Sequence, residues 1–342
     1  MNKVKYRVAL LGCGPRGRDH AKAFLANSDR FDLAAICDKD GERLQALSSI
    51  CDAAKTYTDA ERMLSETKPD IFCFATLPNI RLPLIELGVK HQVKAIAYEK
   101  PMATSLAEAS RIRDLCDRAG VKTIVSHQHK YGSHWQKVRE IVDSGDIGDV
   151  RTIHATSKGW LLQYGTHLVD YMIFLNGGHR GEWVVAHAHG RGKLLDSHPS
   201  PDYLMAQIGF DNGVRGIMEC GTLAPDQPGE NPFWLNAGAA VLGTEGFAHV
   251  IVGTGWRAVT KSSGGLICGP GAFNVEKDQP PYIRDLADWL DDPRKVHPCN
   301  GDVTYHGFEI VMAACLSSIE RRKVDLPVAS SEPIIERLSQ AL

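Results

Sequence analysis

The feature that most constrains this chain is a glycine-rich turn between an apolar strand pattern and a helix pattern. The turn reads Gly12-Cys13-Gly14-Pro15-Arg16-Gly17 and directly follows the strand run Val8–Leu11. In a GxGxxG turn the first glycine makes the tight turn, the second lets a pyrophosphate approach the backbone, and the third lets helix and strand pack closely. The N-terminus of the helix then offers amide groups and a positive dipole to phosphates. Taken alone, the pattern also fits an ordinary glycine-rich turn.

Strand and helix patterns alternate from residue 5 to residue 126. Such alternation predicts a parallel sheet covered by helices on both faces, which is an α/β, doubly wound Rossmann domain over residues 1–126. Two segments, Thr58–Glu61 and Ser105–Glu108, read as capping boxes that open helices. The strand runs that follow the first one are Leu33–Cys37, Ile71–Ala75, Ala95–Ala97 and Lys122–Val125.

The pattern changes after about residue 127. Turn signals separate several strand-like runs, which predicts a second α/β domain over residues 127–342 with a large, mostly antiparallel sheet. Asp211-Asn212-Gly213 predicts a tight hairpin turn, and the glycine-rich segment 262–271 predicts a mobile loop. The predicted helices are 133–144, 165–176 and 302–322, and the predicted strands are 183–189, 203–210, 214–220, 234–242 and 247–252.

Composition excludes several classes of protein. The 342 residues suit two domains, and a net charge of −2 with no basic run argues against nucleic acid or an anionic membrane as partner. No apolar run approaches the length of a membrane span, and the N-terminus lacks the pattern of a signal peptide. The nine cysteines are scattered without a CxxC pair, which argues against a zinc framework or a disulfide scaffold. We therefore expect a reduced, cytoplasmic protein without a bound metal.

An acidic residue follows the second strand run. Asp38 stands 21 residues after Gly17, where a carboxylate can accept hydrogen bonds from a ribose 2′-hydroxyl. Because a carboxylate repels a 2′-phosphate, Asp38 favours NAD over NADP as cofactor, although Lys39 next to it weakens the exclusion. The alternative is that Asp38 caps the helix that contains Glu42.

Two further groups of polar residues are candidates for chemistry. Glu99-Lys100-Pro101 directly follows the strand run Ala95–Ala97, where ligands bind in open α/β sheets, and Lys100 is a plausible proton donor or oxyanion partner. The alternative is a solvated ion pair on a surface turn. Gln163, His167, Asp170 and Tyr171 would share one face of the predicted helix near 165–176, where His167 suits a general base. Spacing alone favours a core histidine that is hydrogen-bonded to Asp170.

Several of these motifs, in this order, resemble the glucose-fructose oxidoreductase / inositol dehydrogenase / MocA family of sugar and cyclitol dehydrogenases. The resemblance covers nearly the whole chain, and its Glu-Lys-Pro and Gly-x-His-x-x-Asp elements are specific together. The motifs are Val8–Gly14, Asp38, Ala75-Thr-Leu-Pro-Asn79, Glu99-Lys-Pro101, Ser144–Gly148, Gly165-Thr-His-Leu-Val-Asp170 and Lys323–Pro327.

The resemblance implies a Rossmann domain followed by a domain that binds the substrate and whose large sheet forms the interface of a homodimer or homotetramer. It implies that Lys100 touches nicotinamide and substrate and that His167 is the catalytic acid/base. If His167 is not the base, we expect His129 or Tyr164 to be. The resemblance places Gln128 on the substrate side of the cleft, and we expect Gln163 and Tyr164 to bind the substrate as well. The residues assigned to NAD are Gly12, Gly14, Pro15, Arg16, Gly17, Asp38, Lys39, Thr76, Asn79, Glu99 and Lys100.

Three positions depart from the family pattern. Gln163 replaces the common Asp four residues before the catalytic His, Arg81 replaces a His after the Pro-Asn pair, and Lys130 replaces an Arg. The expected activity is NAD-dependent oxidation of a secondary hydroxyl of a sugar, a sugar derivative or a cyclitol to a ketone. Two alternatives stay open: a redox-neutral lyase or glycosidase that uses NAD transiently, and a non-catalytic NAD-binding regulator.

Overall fold

The computed structural model describes residues 4–227, 235–329 and 331–342. In chain order the strands are β1 (Tyr6–Leu11), β2 (Phe31–Cys37), β3 (Lys55–Tyr57), β4 (Ile71–Phe74), β5 (Ala95–Tyr98), β6 (Lys122–Val125), β7 (Val150–Ser157), β8 (Gly181–His189), β9 (Tyr203–Phe210), β10 (Arg215–Cys220), β11 (Ala237–Gly243), β12 (Phe247–Ile251), β13 (Gly255–Val259), β14 (Leu266–Pro270) and β15 (Val324–Asp325). The α-helices are α1 (Pro15–Ala26), α2 (Gly41–Ser48), α3 (Ala60–Thr67), α4 (Arg81–Lys90), α5 (Leu106–Ala119), α6 (Ser133–Asp143), α7 (Thr166–Leu175), α8 (Val275–Asp291), α9 (Gly301–Glu320) and α10 (Ile334–Ala341).

A parallel six-stranded sheet is the centre of the first compact unit. Its strand order is β3-β2-β1-β4-β5-β6, which is the doubly wound order with the switch point between β1 and β4. The residues of β4 and β5 are fully buried, as expected of strands covered on both faces. The fold class predicted for this half is confirmed. The short edge strand β3 was not predicted, since two of its three side chains are exposed and give no apolar run.

The first compact unit also takes in a segment from late in the chain. It comprises the residues up to 104, then 108–128 and 274–303. Helix α8 packs on α1, and the buried Arg30, which directly precedes β2, forms ion pairs to Asp288 and Asp291 of α8 at 2.8 and 2.6 Å. Sequence reasoning missed α8 because Pro280 and Pro281 lie inside it, and proline disfavours helix interiors. The predicted domain limits, 1–126 and 127–342, stay a prediction. They would assign residues 274–303 to the second domain, whereas the first compact unit includes them.

A nine-stranded sheet is the centre of the second compact unit, which comprises 105–107, 129–273 and 304–342. Its order is β14-β13-β12-β11-β7-β10-β9-β8-β15, and β7 and β10 form the parallel pair in an otherwise antiparallel sheet. The mostly antiparallel sheet is thus confirmed. The predicted turn at Asp211-Asn212-Gly213 connects β9 and β10, with Gly213 at φ +80°. Helix α7 packs against β7, β10 and β11.

Several local predictions for this half differ from the structure. The segment 262–271 includes the edge strand β14, which pairs with β13 although most of its side chains are exposed. The glycines of this segment favoured the prediction of a loop, whereas backbone hydrogen bonds to β13 stabilise a strand. The predicted strand 234–242 begins at Ala237 as β11, and residue 234 lies outside the described residues. Helix α9 ends at Glu320, before the basic residues, because Arg321 takes a left-handed conformation with φ +53°.

None of the helices described by the structure is both long enough and apolar enough to cross a membrane.

Candidate active site

The glycine-rich turn has the geometry of a phosphate cradle. Gly12 has φ +94°, and a β-carbon there would lie 2.4 Å from the Ala75 carbonyl oxygen. A β-carbon on Gly17 would lie 1.7 Å from the Gly12 carbonyl oxygen, so this glycine allows α1 to pack on the turn. A β-carbon on Gly14 would meet nothing within 4 Å. The second glycine therefore faces open space at the N-terminus of α1, where Pro15 is the first helical residue.

Asp38 lies directly after β2 and anchors the glycine-rich turn. Its carboxylate accepts hydrogen bonds from the Cys13 amide at 2.7 Å and from the Asp40 amide at 3.0 Å. Helix α2 is capped by Asp40, which accepts from the amides of Glu42 and Arg43, so the alternative that Asp38 is the cap is wrong. Asp38 thus remains partly exposed beside the cradle, next to the exposed Lys39.

The other residues predicted to bind NAD lie at the same edge of the sheet. Thr76 and Asn79 follow β4, and Glu99 and Lys100 follow β5. Because all the strands of this sheet run parallel, their carboxyl ends meet at one edge, together with the glycine-rich turn. Thr76 is partly buried, and Asn79 is exposed in a short 3₁₀ turn.

Glu99 is a buried carboxylate rather than a solvated one, so the alternative of a surface ion pair is wrong. Its Oε1 accepts from Arg16 at 2.9 Å and contacts His20 Nε2 at 3.0 Å. Burial alone would raise the pKa of the Glu99 carboxyl, but the Arg16 charge and the His20 hydrogen bond hold that pKa well below its usual range. Arg16, assigned to the cofactor, is therefore also a structural tie between α1 and the turn after β5.

Gln128, assigned to the substrate, is buried beside the same arginine. In the amide orientation that its neighbours require, its oxygen accepts from Arg16 Nη2 at 3.1 Å and its nitrogen donates to the Ser126 carbonyl at 3.1 Å. Gln279 of α8 contacts His20 Nδ1 at 3.1 Å. Sequence reasoning missed His20 and Gln279, because neither belongs to a motif and their partners are distant in the chain.

Lys100 is a partly buried lysine with an altered proton affinity. Burial lowers the pKa of its ammonium group to about 8, although the Glu99 carboxylate acts in the opposite direction, and the positive charges of Arg16 and Arg81 add to the lowering. An amine with a pKa near neutrality can donate a proton or hydrogen bond to a developing oxyanion and exchange that proton readily.

A further residue of this edge, Arg81, was noted in the sequence only as a departure from the family pattern. The residue is 1% exposed, and its guanidinium donates to the carbonyl oxygens of Thr76, Lys100 and Pro101 at 3.1, 3.2 and 3.1 Å. These bonds have no signature in the sequence, because main-chain acceptors carry no residue identity.

In the second unit, the predicted helical stripe is partly wrong. Helix α7 begins at Thr166, and Leu161–Gly165 forms a π-helical turn before it, so Gln163 is out of α-helical register with His167. Tyr164 lies in the same turn, and its buried hydroxyl has the Tyr171 hydroxyl as a hydrogen-bonding neighbour.

His167 belongs to a cluster of stacked rings. The His129 ring lies parallel to it, with centroids 4.5 Å apart and planes 8° from parallel. His129 Nδ1 is 2.5 Å from the Tyr171 hydroxyl, and Phe273 packs edge-on against His129 at 4.8 Å. Tyr164 lies 5.1 Å from His167, ring to ring. The structure thus brings His167 together with both residues named as alternative bases.

Asp170 pairs with Lys130 rather than serving as the expected partner of a core histidine. Lys130 Nζ lies 2.7 Å from Asp170 Oδ1, and both side chains are buried. Burial raises the pKa of the Asp170 carboxyl, and Lys130 opposes that shift. The Lys130 ammonium, which stands where the family has an arginine, thus pairs with the buried Asp170 carboxylate of α7.

Within residues 4–227, 235–329 and 331–342, no group of three or more His, Cys, Asp or Glu side chains is arranged to hold a metal ion.

Known proteins resemble this chain over much of its length. A D-apiose dehydrogenase from Paraburkholderia graminis is 34% identical over 63% of this chain and 60% of its own length. A D-glucoside 3-dehydrogenase from Escherichia coli is 25% identical over 62% of this chain and 69% of its own. This chain therefore spans about 60% of the first relative, and 43% of another D-apiose dehydrogenase, from Rhizobium rhizogenes.

Solved structures share the fold. An oxidoreductase from Agrobacterium radiobacter, in complex with NAD+, L-tartaric acid and magnesium, matches with a TM-score of 0.80 and 20% identity over 94% of this chain and 98% of its own. An NAD-binding oxidoreductase from Klebsiella pneumoniae has a TM-score of 0.80 and 19% identity, over 96% of this chain and all of its own.

Two family models match the chain, one for each type of sheet. The model of the oxidoreductase family with an NAD-binding Rossmann fold matches residues 6–127. The model of the GFO/IDH/MocA C-terminal domain matches residues 155–249. Together with the strand orders and the glycine geometry, these matches show that the chain belongs to the glucose-fructose oxidoreductase / inositol dehydrogenase / MocA family of NAD-binding oxidoreductases.

Proposed function

We propose that this protein is an NAD-dependent dehydrogenase that oxidises a secondary hydroxyl of a sugar, a sugar derivative or a cyclitol to a ketone. The observation that carries the proposal is Lys100, an amine with a pKa lowered to about 8 at the sheet edge that holds the phosphate cradle. Relatives that are D-apiose, D-glucoside and inositol dehydrogenases support the class of substrate.

The cradle fits NAD. The open space at Gly14 and the N-terminus of α1 suit a pyrophosphate, and the Asp38 carboxylate suits a ribose with a free 2′-hydroxyl. When bound, NAD supplies the acceptor for the hydride that leaves the carbinol carbon. The remaining work, which is to orient the substrate and to move its hydroxyl proton, belongs to side chains of this protein.

Each candidate side chain has a distinct role. The Lys100 ammonium donates a hydrogen bond to the substrate oxygen and stabilises the negative charge that develops on it. His167 removes the hydroxyl proton as general base, and oxidation leaves a ketone. Tyr164, Gln163 and Gln128 bind other hydroxyls of the substrate. The position of the Tyr164 ring, 5.1 Å from the ring of His167, supports its role.

We also propose that the protein is a symmetric homodimer or homotetramer. Three apolar side chains, Val185, Met205 and Leu242, lie on the same face of the nine-stranded sheet by strand register and are 38–42% exposed. The same face also carries the polar side chains of Gln207 and Glu219, so it is a mixed surface rather than an apolar one. Helix α7 packs on strands β7, β10 and β11 of this sheet, and we propose that a second copy of the chain covers the exposed apolar positions.

A screen of sugars and cyclitols tests the activity. Formation of NADH is followed by absorbance, and the products are identified by mass spectrometry. We expect equal amounts of NADH and ketone from at least one substrate. A product that forms without net NADH would instead support the redox-neutral lyase or glycosidase, and NAD binding without conversion of any compound would support the regulator.

A further inference from the structure

A buried arginine connects the two turns that follow β4 and β5. Arg81 Nη1 donates to the Thr76 carbonyl at 3.1 Å and to the Thr76 hydroxyl at 3.4 Å. Its Nε donates to the Pro101 carbonyl at 3.1 Å, and its Nη2 donates to the Lys100 carbonyl at 3.2 Å. One guanidinium thus holds four oxygen atoms from two segments that meet at the cofactor edge of the sheet.

The surroundings of this guanidinium differ from those of an ordinary buried ion pair. In the described part of the chain, all its hydrogen bonds go to main-chain carbonyls or to the Thr76 hydroxyl, and the rings of Phe74 and Tyr98 lie 5.9 and 5.8 Å from its central carbon. Carbonyl and aromatic neighbours do not neutralise a buried cation, so its positive charge acts electrostatically on nearby ionisable groups.

We propose that Arg81 is a positioning residue for Lys100. By bonding the carbonyls of Lys100 and Pro101 to Thr76, it fixes the main chain from which the Lys100 side chain extends. This inference rests on the proposed function, because positioning matters for turnover only if Lys100 acts on the substrate. This role would explain why the chain buries an arginine, Arg81, where the family commonly has a histidine.

Only the forked shape of arginine supplies all these bonds. A lysine in the same place keeps the charge but has a single nitrogen, which cannot reach three carbonyl groups spread around a planar fork. A methionine fills similar space but leaves the three carbonyls without their donor, and burial makes such loss costly. Burial lowers the pKa of Arg81 itself to about 10, so it stays protonated at neutral pH.

The charge of Arg81 gives a second, independent effect. In the first unit three charged groups act on the Lys100 ammonium: the Glu99 carboxylate raises its pKa, and Arg16 and Arg81 lower it. Removing the Arg81 charge is therefore expected to raise the pKa of Lys100, whereas replacing Arg81 by lysine is expected to leave it close to its present value. Charge and hydrogen-bond geometry can thus be separated by two variants.

The chain offers a matched control in Arg30. This arginine is as deeply buried as Arg81 and belongs to the same unit, but it precedes β2 at the opposite edge of the sheet and pairs with Asp288 and Asp291. Its replacement should destabilise the fold without moving Lys100. The experiment compares Arg81→Met, Arg81→Lys and Arg30→Met with the wild type as full-length proteins.

Three quantities are measured for each protein. The first is the thermal midpoint of unfolding, the second is the pair of kinetic constants kcat and KM for a substrate found in the screen, and the third is the pH midpoint for labelling of Lys100 by an amine-reactive reagent, read by mass spectrometry. We expect Arg81→Met and Arg81→Lys to lower kcat by about 10- to 100-fold with little change in KM, as expected when a catalytic group is misplaced by about an ångström. The labelling midpoint should rise in Arg81→Met alone.

The outcomes separate this inference from the proposed function. A kcat of Arg81→Lys equal to that of the wild type would overturn the positioning role even if Arg81→Met did not fold. A loss of kcat in Arg30→Met as large as in the Arg81 variants would also overturn it, because general destabilisation would then explain both. If no sugar or cyclitol yields NADH, the proposed function fails, whereas the labelling midpoint of Lys100 still reports whether Arg81 acts on it.

Discussion

Two glycines of the same turn, Gly14 and Gly17, are expected to respond oppositely to alanine. At Gly14 the backbone has φ −67° and ψ −171°, which any residue adopts, and a β-carbon meets nothing within 4 Å. Gly14→Ala should therefore leave the fold intact, and the loss of unfolded-state entropy should stabilise it by about 0.4–1 kcal/mol. At Gly17 the β-carbon would lie 1.7 Å from the Gly12 carbonyl oxygen, where real contacts stay beyond 3.0 Å.

The two variants should also differ in which property they lose. The new methyl group of Gly14→Ala occupies the space that the pyrophosphate needs, so at least one charge-assisted hydrogen bond is lost, about 1.5–3 kcal/mol or roughly 10- to 100-fold in the Kd for NAD. In Gly17→Ala the turn and α1 must move apart by more than an ångström. The atoms that the new β-carbon would contact, the carbonyl oxygen and carbon of Gly12, are backbone atoms and cannot rotate away. We expect a destabilisation at or above the about 1–3 kcal/mol typical of overpacking.

Urea unfolding and titration with NAD decide between these expectations. The midpoint in urea should be at or above the wild-type value for Gly14→Ala and clearly below it for Gly17→Ala. A Gly14→Ala protein that binds NAD as tightly as the wild type would refute the placement of the pyrophosphate at Gly14. A Gly17→Ala protein with unchanged stability would refute the assignment of Gly17 to the contact between turn and helix.

Three further predictions concern the cofactor, the base and the assembly. Asp38→Ser should narrow the preference for NAD over NADP by about 1–3 kcal/mol, measured by titrating both nucleotides; a wild type that prefers NADP would contradict it. His167→Ala should lower kcat by about 10²–10⁴-fold, whereas Gln163→Ala should act mainly on KM; steady-state kinetics that show an unchanged kcat for His167→Ala would place the base elsewhere, with His129 or Tyr164 next. Light scattering at micromolar concentration should give a dimer or a tetramer, and a monomer would contradict the proposed interface.

Local sequence determines the parts of this fold that were predicted well. The strand before Gly12, the turn itself and Asp38 are contiguous or regularly spaced, so their pattern is legible without tertiary information. The hairpin at Asp211–Gly213 could also be predicted from the sequence, because its residues favour the backbone angles that the turn needs.

The features that were missed depend on partners that are distant in the chain. Helix α8 forms despite two prolines because it packs on α1. Strand β14 forms because β13 supplies its hydrogen bonds. The π-helical turn before α7 moved Gln163 out of the expected stripe, since one extra residue per turn leaves no signature in hydrophobic periodicity.

The candidate site divides in the same way. Lys100 and His167 follow from motifs, but their environments do not. The stack of His129 on His167 joins residues 38 positions apart, and Arg81 binds main-chain carbonyls that any sequence would carry. Sequence therefore proposes the chemical groups, and packing determines their surroundings.

The most direct test of the central claim is the replacement of Lys100 by methionine, which keeps the length of the side chain and removes its ammonium. NAD titration, the unfolding midpoint and kcat are measured on the same preparation, with a substrate identified by the screen. If Lys100 stabilises the developing alkoxide, Lys100→Met remains folded and binds NAD, while its turnover is nearly abolished. A Lys100→Met protein with the kcat of the wild type would contradict the claim that Lys100 serves the oxidation of a hydroxyl at this edge of the sheet.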